Sequence, residues 1–307
     1  MNQLVRVERF CLIGHILSKT FGLAGLLLVV PHTDVILNLV AAAAGQNVFQ
    51  WSVEKSMAGG GVVDILFGTV AVSIYAYRTL GVKTWLAFML PAMSISLGSE
   101  LLGTSTGFPF GDYSYLSGLG YKIAGLVPFT IPLSWFYMGL ASYLIARLAL
   151  NTVKQNWLRH ISAIVLGAML FTAWDFALEP AMSQTTFPFW YWAEPGAFFG
   201  TPYRNYAGWF GTSALFMSVA ALLWGNIPLK LQRSQLNIPL VVYLSNIAFA
   251  AGISLAGGFW IPVLLALVVG VIPVLVLWWM AQPRGVNPTV AEATNITELP
   301  SVEVALK

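Results

Sequence analysis

Apolar residues in this chain come in long runs, not in the narrow stripes of half-buried helices. A transmembrane helix needs about 20 mostly apolar residues. Eight such runs are read, at 11–30, 61–79, 84–103, 126–146, 159–179, 207–225, 239–256 and 261–280. Residues 35–50 are apolar but short, which predicts a re-entrant or interfacial helix. Arg6, Glu8 and Arg9 lead into the first run with no small-residue cleavage site, so it reads as a span and not as a signal peptide. The pattern predicts an all-α, polytopic transmembrane helical bundle of about eight spans. Residues 1–281 form its single integral membrane domain, and the polar stretch 282–307 is read as a disordered cytoplasmic tail.

Composition agrees. Of 307 residues, 58% are hydrophobic and 9% charged, where a soluble chain carries about a quarter charged. That excludes a soluble enzyme, a disordered chain and a nucleic-acid-binding module. Fifteen Lys and Arg against twelve Asp and Glu make no basic patch, so the expected partners are the lipid bilayer and something dissolved in it. One cysteine, Cys11, and three histidines, His15, His32 and His160, leave no CxxC and no His box of the membrane di-iron oxygenases. Gly118-Leu-Gly120 is a fragment of a dinucleotide loop without its βαβ unit. Neither metal nor cofactor is expected.

The cations set the orientation. With the N-terminus cytoplasmic and 35–50 not crossing, Arg6, Arg9, Arg78, Lys83, Arg147, Lys154, Arg159, Lys230, Arg233, Arg284 and Lys307 fall on the cytoplasmic side. Lys55, Lys122 and Arg204 fall on the far side. A ninth span through 35–50 would reverse Arg78, Lys83, Arg147, Lys154 and Arg159. Both termini are therefore expected in the cytoplasm.

Two segments resemble each other. Glu100 and Glu179 each stand eight residues before a Phe-Pro-Phe, at Phe108–Phe110 and Phe187–Phe189, and Pro128 and Pro202 each stand seven before a tryptophan, Trp135 and Trp209. The spacing predicts a tandem repeat of spans 3–4 and 5–6, related by an axis along the membrane normal. Both glutamates would then sit at one depth and face one cavity. The two far-side loops are dense in aromatics, five of the six residues from Phe187 to Trp192 among them. They read as an interfacial belt or as a lid over an apolar pocket.

Ionisable residues inside a span are costly and mark function. Asp64, Glu100, Asp175 and Glu179 qualify, and Asp112 lies in the first aromatic loop. Asp175 and Glu179, at i and i+4, share a helix face. Two carboxyls stacked in a poorly solvated place cannot both ionise easily, which predicts a protonated acid beside a carboxylate. Alternatively each carboxylate pairs with Lys122, Arg204 or a tyrosine hydroxyl. His15 and Lys19 share a face of span 1. Lys19 is expected to snorkel to the interface, the alternative being that the two meet the interior carboxyls. The expected catalytic set is Asp175, Glu179, Glu100 and Asp112. The expected substrate contacts are Trp174, Phe108, Phe110, Tyr113, Trp190, Trp192, Phe199, Asn205 and Trp209.

The stretches Phe108-Pro-Phe-Gly-Asp-Tyr113, Pro132-Leu-Ser-Trp-Phe136, Trp174-Asp175 with Glu179-Pro-Ala-Met182, and Phe199-Gly-Thr-Pro with Asn205-Tyr-Ala-Gly-Trp209 resemble the membrane carotenoid hydratases of the CruF type. These include cyanobacterial γ-carotene 1′-hydroxylases and an archaeal bisanhydrobacterioruberin hydratase. The resemblance covers roughly residues 10–280. It implies addition of water across the terminal C1′,2′ double bond of a carotenoid such as γ-carotene. It also implies a cyanobacterial membrane and contact with a downstream carotenoid glycosyltransferase. The site residues rest on the physical reading alone. Two other classes fit the spans: a proton-coupled transporter of a hydrophobic solute, and a pigment-binding assembly factor.

Overall fold

The computed structural model describes residues 2–29, 32, 35, 46–225, 229 and 231–281, and of 46–58 the backbone alone. Among them eight helices are long and apolar enough to cross a membrane. They are α1 (Asn2–Ala24, continued by a π turn to Val29), α2 (Gln46–Leu80), α3 (Val82–Thr106), α4 (Thr130–Ala149), α5 (Asn156–Ser183), α6 (Tyr203–Trp224), α7 (Asn237–Ala256) and α8 (Trp260–Met280, with a π segment at Ala266–Val271). The protein is an all-α, multi-pass membrane bundle. Helix α2 begins well ahead of the apolar run that announced it. Most of the 35–50 segment and all of 282–307 lie outside the described residues.

The predicted repeat is visible in the packing. Helix α3 packs on α4 and α6, and its repeat mate α5 packs on α6 and α4. Between α3 and α4 runs the short strand β1 (Tyr113–Tyr115), followed by a small β2–β3 hairpin (Lys122–Ile123, Val127–Pro128). Between α5 and α6 runs β4 (Trp190–Trp192). Strands β1 and β4 pair antiparallel, Tyr113 opposite Trp192 and Tyr115 opposite Trp190. The rings of the repeat mates Trp135 and Trp209 pack 4.7 Å apart between centroids, tilted by 33°. In both Phe-Pro-Phe motifs the first ring is exposed, at Phe108 and Phe187, while the second, Phe110 or Phe189, faces inward.

Close approach is built on glycine. A Cβ at Gly103 of α3 would come within 2.8 Å of the Phe110 ring, and one at Gly208 of α6 within 2.6 Å. Phe110 thus wedges between α3 and α6. Gly107 ends α3 in the left-handed conformation, and Arg204, at the start of α6, donates to its carbonyl at 2.6 Å. Helix α4 is buried along nearly its whole length and forms the centre of the bundle.

Helix α1 is fastened to α2 at two levels. Arg78 grips Glu8 with two hydrogen bonds, at 3.0 and 3.1 Å. Lys19 Nζ lies 2.6 Å from Asp64 Oδ2, so Lys19 does not snorkel. A carboxylate in the bilayer core draws an ammonium to itself more strongly than the distant interface does. His15 completes the cluster, with Nδ1 2.8 Å from Asp64 Oδ1. Asn246 of α7 donates to Val242 O, and its other amide hydrogen points at His15 Nε2. That makes Nε2 the acceptor and Nδ1 the N–H, which donates to the Asp64 backbone carbonyl at 3.0 Å.

Candidate active site

A cavity of about 960 Å³ opens between the α1–α2–α7 side and the repeat α3–α6. Its walls are mostly apolar and aromatic, and the strand pair β1–β4 closes one end. Phe21 of α1 and Val63 of α2, both exposed, also line the cavity.

Side chains alternate along a strand, so Tyr113 and Tyr115 point the same way, and so do Trp190 and Trp192. The sheet turns both pairs onto the two repeat-related glutamates. Glu100 Oε2 accepts hydrogen bonds from the hydroxyls of Tyr113 and, at 2.9 Å, Tyr115. Its Oε1 accepts from Trp135 Nε1 at 3.1 Å. Burial first, and then the Glu100 carboxyl, push both phenols well above the usual tyrosine range, so they remain donors. Glu179 Oε2 accepts from Trp190 Nε1 at 3.1 Å and from Trp192 Nε1 at 3.0 Å. Both glutamates are almost fully buried, and both line the cavity.

Asp175 stands one step back. It is 0% exposed and is not part of the cavity wall. Its Oδ2 accepts from Asn205 Nδ2 at 2.7 Å, and Asn205 is on the wall. Among the described residues none of Glu100, Asp175 and Glu179 forms a salt bridge. Lys122 and Arg204, offered as alternative partners, bond to the carbonyls of Tyr115 and Gly107 instead, while Glu100 does meet the tyrosine hydroxyls of that alternative.

The structure gathers Glu100, Glu179, Phe110, Tyr113, Trp174, Trp190, Trp192, Asn205 and Trp209 around one cavity. It leaves four expected residues off the wall: Asp175, one step back, and three others. Asp112 is exposed, in the two residues by which the first loop exceeds the second between Phe-Pro-Phe and its strand. Phe108 is 63% exposed. Phe199 packs on Phe198 and Phe259. Tyr115 and Trp135 are Glu100 donors that the sequence did not place in the site, Trp135 being noted only as a repeat mate and within a motif. The signal for Tyr115 was the alternation Tyr-x-Tyr, which matches Trp-x-Trp in the second loop. Among the described residues no three His, Cys, Asp or Glu side chains stand close enough to hold a metal ion.

The chain is 33% identical, over 180 residues, to the bisanhydrobacterioruberin hydratase of Haloarcula japonica. The match covers 57% of this chain and 58% of the archaeal one, so it spans little more than half of that protein's length. No solved structure matches. Residues 60–273, which hold both repeats and every carboxyl of the cavity, match the family described as carotenoid biosynthesis proteins, and the chain belongs to that family.

Proposed function

We propose that this protein is a carotenoid hydratase, which adds water to the terminal C1′,2′ double bond of an acyclic carotenoid end such as that of γ-carotene. The observation that carries the reading is the pose of Glu179. One carboxyl oxygen is fixed by two indole N–H groups. The other, Oε1, is bound by neither indole, and Glu179 stands on an aromatic cavity wall beside the Asn205 amide. A neutral carboxylic acid held in that way is the proton donor that a weakly basic alkene requires.

The steps balance. Glu179 delivers its proton to the less substituted alkene carbon, leaving a tertiary carbocation. Trp135, Trp174 and Trp209 offer ring faces to that cation, each worth about 0.5–2 kcal/mol in a desolvated site. Glu100 accepts three donors, the arrangement that suits a carboxylate, and supplies the counter-charge. Water bonds to the cationic carbon and releases one proton to Glu100, which then returns to Glu179. The net change is one molecule of water added.

Asn205 positions the water. Asp175 holds its amide nitrogen, which leaves the amide oxygen as an acceptor on the cavity wall. Asp175 thus acts through Asn205 and does not touch the substrate.

The test is expression in a host that accumulates γ-carotene or lycopene, with mass analysis of the extracted pigment. A more polar product heavier by one water is expected. Pigment of unchanged mass, with the protein present in the membrane, refutes the reading and returns the chain to a transport or pigment-binding role.

A further inference from the structure

A buried polar atom without a hydrogen bond is expensive, most of all inside a bilayer. Among the described residues Asp175 Oδ1, Tyr206 Oη and Thr201 Oγ1 are buried without such a partner. They are neighbours. Asn205, bonded to Asp175, immediately precedes Tyr206 on α6. The Tyr206 ring lies 4.9 Å from that of Phe176, the residue after Asp175. The Thr201 hydroxyl stands beside the Tyr206 phenol without completing a hydrogen bond to it. Thr201 stands at the mouth of α6, bridged to Phe198, whose ring also covers Tyr206.

One carboxyl acceptor and two hydroxyls, each able to donate or accept, make a set of about three hydrogen bonds, which is what a buried water takes. An anion would meet the Asp175 carboxyl. An apolar group would leave all three atoms unsatisfied.

We propose that Asp175, Tyr206 and Thr201 hold a bound water behind the cavity wall, and that the hydration reaction draws its water from this site. The second half of that statement rests on the hydratase reading. The site lies on the far side of Asn205 from the cavity, so a water leaving it passes the amide that faces Glu179. It also keeps water off the aromatic wall until the alkene is protonated.

The water itself is read by radiolytic hydroxyl-radical labelling of the purified protein, because radicals form from bound water and mark the side chains beside it. Tyr206 is expected to label well above Phe171 and Trp135, which are also buried. Labelling of Tyr206 no greater than theirs overturns the proposal. Tyr206→Phe and Thr201→Val keep the shape and remove the hydroxyls. Turnover in each is expected to fall about tenfold with KM unchanged, as loss of one positioning hydrogen bond commonly costs, and labelling of Phe176 should fall with it. In a dry site these hydroxyls only destabilise. A raised melting temperature with unchanged turnover in Tyr206→Phe therefore also overturns the proposal. Wild-type labelling as expected, in a protein that hydrates no carotenoid, retains the water site and removes the hydratase reading alone.

Discussion

Replacing Glu179 by glutamine separates chemistry from architecture. The glutamine carbonyl can take the place of Oε2 and keep both indole N–H bonds, now 3.1 and 3.0 Å long. Its amide nitrogen then stands where Oε1 faced the cavity. No indole loses its acceptor, so the fold should hold. The amide cannot protonate an alkene, and loss of a general acid costs about 10²–10⁴ in rate. At about 1.4 kcal/mol per decade that is roughly 3–5 kcal/mol of barrier. Glu179→Ala is the contrast. It leaves two buried N–H groups unmade, at about 1–3 kcal/mol each, and should lower both turnover and the melting temperature. Both variants would be purified in detergent, melted, and assayed for pigment hydration by chromatography and mass. A Glu179→Gln protein that melts like the wild type and keeps more than a tenth of its turnover would refute Glu179 as the acid.

Product formed in ¹⁸O-water should carry the label and should form without O₂; label arriving from ¹⁸O₂ would contradict the hydratase mechanism. Lys19→Met strands the Asp64 carboxylate and should cost about 3–5 kcal/mol of stability. Adding Asp64→Asn should recover much of that loss in thermal melts, and no recovery would mean that the pair is not coupled. Gly208→Ala drives a Cβ to within 2.6 Å of the Phe110 ring and should destabilise by about 1–3 kcal/mol. Gly211→Ala, three residues on and with nothing within 4 Å, should be neutral or slightly stabilising on the same assay. Asp112→Asn, in the exposed loop, should leave turnover and KM as they are, and a large loss would return that residue to the site.

The spans were legible because a bilayer imposes a run length that twenty apolar residues announce. The glutamates were legible through their equal spacing from Phe-Pro-Phe, and the structure sets both on one cavity. The i and i+4 argument put Asp175 beside Glu179 but could not tell that Asn205 stands between Asp175 and the cavity. Helical spacing gives the face of a residue, and the layer is decided by a helix thirty residues on. The partner of Lys19 was hidden for the same reason. Asp64 lies 45 residues away, and no local periodicity reports on it.

The proposed chemistry also depends on where the two repeats differ. The fold places Glu100 and Glu179 alike, yet β1 brings hydroxyls to the first and β4 brings indoles to the second. A phenol can donate to a carboxylate and can also pass a proton along. An indole N–H only donates. The first half is thus suited to receiving a proton and giving it back, and the second to holding one carboxyl rigid with a single oxygen left for the substrate. Trp135 crosses to Glu100 at 3.1 Å and also packs on its repeat mate Trp209, so in the proposed reaction the ring pair that joins the halves would also supply a face to the cation. A repeat with identical strands would give two matched carboxyls and no reason for the proton to move from one to the other. In the proposed reaction the divergence of Tyr-x-Tyr from Trp-x-Trp would supply that direction.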